Sequence, residues 1–281
     1  MKTMRKSLKI FGIVILLFVL IIGSIFYCIG YMNGELQTNT VEETKAKFGE
    51  FDNDQILKKV ELRGIKISIL KTVGIVASAF KPLNNRNKLT KTGRLSNAAY
   101  VFKLLNNVTI YSIAYKSDGL IVTGLMVTPK EEGKYPCIIY NRGGNRDFGR
   151  LDFRHVNKYF SFLAEQGYVV IASNYRGNGG SEGKEEFGGA DVNDVMNLIP
   201  VLSKVSMADT SRIGLLGHSR GGMMVYKALQ NTDIFQTAVV VSGSTNKYLT
   251  IRDRPAMEKY VYAELIPDYH ENRDEKLRER L

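Results

Sequence analysis

Two features are scarce in this chain of 281 residues: it has two cysteines and three histidines. Cys28 lies in the apolar N-terminal run and Cys137 in an expected buried strand, so a disulfide between them is excluded and the fold must stand on its core. His155, His218 and His270 are scattered without metal-ligand spacing, so neither a metal nor a cofactor is expected. No repeat or low-complexity tract occurs, which excludes solenoid and fibrous architectures. Acids are missing between Lys81 and Ser117, where seven basic residues stand (Lys81, Arg86, Lys88, Lys91, Arg94, Lys103 and Lys116). That stretch reads either as a solvated linker surface or as a contact for anionic lipid headgroups. No nucleic-acid recognition motif accompanies the charge, so no nucleic-acid partner is expected despite the net +11. The rest is ordinary: 44% apolar and 24% charged residues describe one globular domain with an appendage.

Charge is also absent from Ile10 to Gly34, and residues 10–29 are almost continuously apolar. Twenty helical residues span roughly the 30 Å hydrocarbon core. Lys2, Arg5, Lys6 and Lys9 precede the run, and Glu35, Glu42 and Glu43 follow it. The charge asymmetry predicts a single-pass membrane anchor with a cytoplasmic N-terminus and an extracytoplasmic remainder. A cleaved signal peptide is disfavoured, because Ile25-Phe26-Tyr27 is bulky where a peptidase requires small side chains. Residues 1–34 are thus expected to be tail and anchor, and 35–105 a polar stalk and basic helical region. Within the latter, the apolar stretch 65–80 is interrupted by Lys66 and Lys71 and reads as a packed or interfacial helix.

From residue 106 the pattern changes. Strands are expected at 108–115 and 120–129 around the hairpin Lys116-Ser117-Asp118-Gly119. Further strands at 135–140, 168–173, 213–217 and 237–242 alternate with helices at 153–166, 190–204 and 222–230. This alternation predicts an α/β domain over 106–281, with flanking helices on a mostly parallel sheet and catalytic groups at the carboxyl ends of the strands.

At one such end stands Gly217-His218-Ser219-Arg220-Gly221-Gly222, a G-x-S-x-G motif with a strand before it and a helix after. The turn presents Ser219 Oγ above the sheet, and Gly217 and Gly221 lack the Cβ atoms that would collide in so sharp a bend. Asn141-Arg142-Gly143-Gly144-Asn145 follows the strand at 135–140, and its paired glycines suit an oxyanion loop. The oxyanion hole is assigned to Arg220, Arg142 and Gly143. Residues 174–181 form a third Gly-rich loop. It lacks the phosphate-binding pattern, Gly183-Lys184 being followed by Glu185, and is expected to rim the site. Asp191 and Asp194 are expected to serve the next helix N-terminus, and His218 to point away from Ser219.

Together, Tyr140–Gly144, Asn174–Ser181 and Asp209–Gly222 make residues 108–243 resemble the catalytic domain of the prolyl oligopeptidase family (S9 serine peptidases), of the α/β-hydrolase fold. The resemblance implies Ser219 as nucleophile and the N–H of Arg220 as oxyanion donor, with Arg142 standing where related hydrolases commonly carry tyrosine or histidine. It also implies hydrolysis of a peptide or ester through an acyl-enzyme.

In that fold the acid and then the histidine follow the serine. At about 30 residues per strand–helix–strand unit, the acid is expected near residue 275 at the earliest and the histidine beyond 300, past Leu281. Residues 245–281 read as loop and helices, and neither His270 nor His155 is placed as the base. The chain is therefore expected to be a C-terminally incomplete, inactive or weakly active hydrolase. The alternatives are a carboxylesterase-type hydrolase and a noncatalytic binding protein using the same cleft.

Overall fold

A computed structural model describes residues 33–52, 55–62 and 107–280, together with Gly23 and Gly30. The expected anchor run at 10–29, Cys28, the stretch 65–80 and the basic residues from Lys81 to Lys103 lie outside the described residues. Among the described residues no helix is long and apolar enough to cross a membrane.

Among the described residues seven strands form one sheet: β1 (Leu57–Glu61), β2 (Val108–Ser117), β3 (Leu120–Pro129), β4 (Tyr135–Asn141), β5 (Val169–Ser173), β6 (Ala208–His218) and β7 (Phe235–Val241), in the order β1-β2-β3-β5-β4-β6-β7. The hairpin between β2 and β3 closes as its sequence predicts. Asp118 and Gly119 take φ of 51° and 81°, the two left-handed residues that match the twist of the flanking strands. β3 pairs antiparallel with β5, while β5, β4, β6 and β7 are mutually parallel. The apolar residues of β4, β5 and β6 are largely buried, with Ile139, Ile171 and Ile213 wholly so, whereas β7 at the edge of the sheet is mostly exposed.

The helices complete the layers. They are α1 (Val41–Phe48), α2 over 153–165 with a π-helical turn at Val156–Phe160, α3 (Asp191–Met196), α4 (Leu198–Ser203) and α5 (Arg220–Asn231). α6 (Lys247–Asp253), α7 over 255–265 and α8 (Arg273–Arg278) follow β7. Val192, Val195, Leu198, Val201 and Leu202 from α3–α4 and Met223, Met224 and Val225 from α5 pack in one core with the sheet. Val261, Tyr262, Ile266 and Leu277 bring the C-terminal helices into the same core.

The described residues between 35 and 62, expected as a polar stalk, pack on the sheet. β1 adds an antiparallel edge to β2, and Leu36 is buried. Thr38 Oγ1 donates to Gly179 O (3.0 Å) and Thr44 Oγ1 to Gly180 O (2.8 Å). Ser112 Oγ donates to Leu36 O (2.8 Å). Gly180 must be glycine for this docking: its φ is 75°, and a Cβ would stand 2.5 Å from the hydroxyls of both Thr38 and Thr44.

One cation in α6 opposes stability. Lys247 is fully buried, with Nζ donating to Ser244 O and Oγ (3.2 and 3.0 Å). Burial, and then Lys227, pull it down to about 8 from the ordinary lysine value of 10.5. Between those values the unfolded chain binds more protons than the folded one, so this group makes stability rise with pH, by about 3 kcal/mol in all. In Lys247→Met, urea unfolding should lose that slope between pH 8 and pH 10. An unchanged slope would reject the assignment.

Candidate active site

The parallel strands β4, β6 and β7 end together, with Asn141 beside Gly217 and Val241 beside His218. Ser219 follows β6 immediately and precedes α5, and its N–H donates to Val241 O (2.9 Å). Its backbone is at φ 57°, ψ −118°, a conformation that costs a non-glycine residue about 1–3 kcal/mol and that surrounding structure must enforce. The enforcement is visible in the glycines. A Cβ on Gly217 would lie 2.2 Å from Gly221 O, and one on Gly221 would lie 1.9 Å from Asn141 O. The backbones of β4, β6 and α5 meet at a separation that no side chain permits. Ser219 is left exposed at the sheet's carboxyl edge.

The loop after β4 presses on this elbow. A Cβ on Gly143 would stand 2.9 Å from His218 O and 3.2 Å from Ser219 Cβ, so the chain passes directly beside Ser219. Gly144 turns at φ 76°, where a Cβ would strike Phe148 O at 2.0 Å. His218 is exposed, and its Nδ1 would lie 3.3 Å from the same Gly143 Cβ. It makes no hydrogen bond to Ser219.

Arg142 requires a correction. Its side chain is fully buried, and every bond it makes is to backbone carbonyls: Nε to Asn174 O (3.0 Å), Nη1 to Gly143 O and Phe148 O (both 3.3 Å), and Nη2 to Arg146 O (3.3 Å). The guanidinium also lies over the Tyr175 ring at 5.1 Å. The guanidinium of Arg142, a residue assigned to the oxyanion hole, ties the 143–148 loop into one shape, and burial lowers its pKa. From Arg142 the loop therefore takes its form, not a side-chain donor.

Arg220 is held just as firmly, and it too lies over the Tyr175 ring. Its guanidinium sits 5.0 Å from that ring and 4.7 Å from Phe187, and Nη1 donates to Gly144 O (3.2 Å). It ion-pairs with Glu185 and Asp191, all three groups being buried. Burial, and then Arg142, lower Arg220 to about 9, which leaves it protonated at neutral pH. Glu185 is the crossing point of the network. One oxygen meets Arg220, and the other accepts the Arg146 N–H (2.7 Å). The elbow and the 143–148 loop are thereby joined through the Glu185 carboxylate as well as through the Arg220 bond to Gly144 O.

Asp191 and Asp194 do stand in the first turn of α3, but their main work is elsewhere. Asp191 accepts from Gly188 N–H (2.8 Å) and pairs with Arg220. Asp194 accepts the Arg176 fork and the Ser117 hydroxyl (2.6 Å). Loop 174–181 carries Asn174, whose side-chain oxygen accepts Leu151 N–H (3.1 Å), and it receives the N-terminal segment at Gly179 and Gly180.

The histidines do not supply a base. His155 Nδ1 is 2.9 Å from Asp152 Oδ1 in a capping box at the start of α2, and its ring packs against Tyr140. His270 is exposed, its ring packed edge-on against Tyr269. Among the described residues no imidazole hydrogen-bonds Ser219, and no cluster suited to a metal ion occurs.

A sheet of this order, with a strained serine on a glycine elbow at its parallel edge, defines an α/β-hydrolase. Residues 154–278 match the model of the prolyl oligopeptidase family. It is 34% identical over 154 residues to the uncharacterized peptidase YtmA of Bacillus subtilis, covering 54% of this chain and 58% of that protein. It is 32% identical over 122 residues to dipeptidyl-peptidase 5 of Porphyromonas gingivalis, covering 38% of this chain and 17% of that protein. The uncomplexed acylaminoacyl peptidase of Pyrococcus horikoshii superposes with a TM-score of 0.52 at 26% identity, over 65% of this chain and 30% of that one. The matched region thus spans little more than half of one of these relatives and less than a third of the other two.

Proposed function

We propose that this chain is a membrane-anchored serine hydrolase in which Ser219 forms an acyl-enzyme with a peptide substrate. The observation that carries the reading is the backbone of Ser219 at φ 57°, with Gly143 packed against it. The N–H of Arg220, at the start of α5, is directed by the helix toward charge developing above Ser219. The N–H groups of the Gly143 loop complete the oxyanion hole, with Arg142 and Glu185 holding the loop. Peptide is favoured over ester because the named relatives are peptidases. The apolar run 10–29 is the anchor. The flanking charges put the N-terminus in the cytoplasm and the hydrolase unit outside it.

An unassisted serine hydroxyl is a poor nucleophile at neutral pH. With no imidazole bonded to it among the described residues, we infer slow acylation by this chain alone, at the residual level left by binding and the oxyanion hole. The test is labelling of the purified full-length protein by a fluorophosphonate probe. We expect weak, time-dependent labelling that disappears in Ser219→Ala. Labelling as fast as in an ordinary serine hydrolase would overturn the inferred slowness. Labelling that persists in Ser219→Ala, or none at all at long times, would remove Ser219 as nucleophile and leave a binding protein.

A further inference from the structure

The rim of the Ser219 cleft is tied to the residues that leave the apolar run. Asn33 Oδ1 accepts the Phe153 N–H (2.8 Å), and Gln37 Nε2 donates to Leu151 O (2.6 Å). Arg150 reaches back with both Nη atoms, to Gln37 Oε1 and Asn39 Oδ1 (each 2.9 Å). Residues 33–39 are therefore clamped to 150–153, the continuation of the oxyanion loop. Ile29 precedes Asn33 by four residues, which cover at most about 14 Å in any conformation. The headgroup layer adds about 5–8 Å beyond the hydrocarbon on each side. A bilayer spanned by residues 10–29 leaves no room for a free stalk between its surface and this rim.

The rim presents suitable chemistry. Phe148 is 79% exposed, more than any other large apolar side chain among the described residues. It is not a loose tip: its N–H donates to Asn145 O (3.0 Å), and its carbonyl accepts from Arg142 Nη1 (3.3 Å). Arg154 lies close along the chain with its side chain 80% exposed. An exposed aromatic ring and, six residues on, an exposed long cationic side chain are the side-chain types suited to the interface between headgroups and acyl chains.

We propose that the rim carrying Phe148 and Arg154 is seated in the headgroup layer of the bilayer that residues 10–29 span, so that the Ser219 cleft takes substrate presented at the lipid surface. This rests on the anchored reading above, and the experiment separates the two. The chain contains no tryptophan, so Phe148→Trp introduces a single reporter at an exposed position, and Val239→Trp on β7, 52% exposed, gives the comparison. Each full-length variant is reconstituted into phosphatidylcholine–phosphatidylglycerol vesicles, with and without brominated acyl chains. We expect co-flotation of both variants. In Phe148→Trp the emission should be blue-shifted and quenched by about half or more, and in Val239→Trp it should be unquenched. Co-flotation without quenching in Phe148→Trp, or equal quenching in both variants, overturns the docking alone. Failure to float overturns the anchor and the docking with it. Far-UV circular dichroism of both variants establishes that the fold is retained.

Discussion

Arg220→Ala should destabilise the protein by about 3–5 kcal/mol, because removing one partner of a buried ion pair strands the others in a medium that cannot solvate them. Glu185 and Asp191 would both be left charged and buried, their shared cation gone. The sign of the pH dependence follows. Without Arg220 the two carboxyls are held above their unfolded pKa values, so the folded variant binds more protons than the unfolded chain over the mildly acidic range. Its stability then falls as pH rises through that range. The deficit relative to the parent should therefore be largest at pH 8 and shrink toward pH 5, as read by urea unfolding. Adding Glu185→Gln and Asp191→Asn should recover much of the loss, since the stranded charges disappear. A triple variant no more stable than Arg220→Ala would show that the network is not the cause. Fluorophosphonate labelling of Ser219 should slow in Glu185→Gln even where folding is retained, because the link from the elbow to the Arg146 N–H is weakened.

Gly221→Ala should be as damaging, for a steric reason. The added methyl would stand 1.9 Å from Asn141 O and 2.9 Å from Arg142 O, and neither carbonyl can withdraw without disturbing β4 or the oxyanion loop. A loss of about 3 kcal/mol or more is expected, at the upper end for overpacking, with Ser219 labelling abolished. Gly119→Ala is the informative control. It also replaces a glycine in a tight turn, at φ 81°, but its Cβ would meet nothing within 4 Å. It should cost only about 1 kcal/mol of backbone strain and leave labelling intact. Equal effects at the two positions would mean that crowding is not what requires glycine at the elbow.

The comparison of the two arginines with Ser219 shows which signals are local. The elbow is legible because it is a local problem: a strand, a helix and one serine between them leave glycine as the only answer at 217 and 221. The parallel strands are legible for a similar reason, as short β-branched runs spaced by helical segments. Arg142 and Arg220 are not legible, since an arginine in a polar loop ordinarily stays in water. Their burial depends on the Tyr175 ring, over which both lie, and on acids 35 and 29 residues from Arg220. No spacing rule connects those positions. β1 escapes a sequence reading because Leu57-Lys58-Lys59-Val60-Glu61 carries the charges of an edge strand and shows no apolar alternation. The Thr38 and Thr44 hydroxyls give no hint of their partners, which lie across 141 and 136 residues of chain.

The sequence by itself determined the α/β alternation, the serine on its glycine elbow and the place of the paired-glycine loop at a strand end. Each of these is set by the conformational limits of a few consecutive residues. Tertiary structure alone decided that Arg142 shapes the loop from behind, that Glu185 joins loop to elbow, and that the described residues between 35 and 62 pack on the sheet. Those outcomes come from desolvation: a buried charge must find a partner wherever the fold brings one, and distance along the chain places no limit on which it finds.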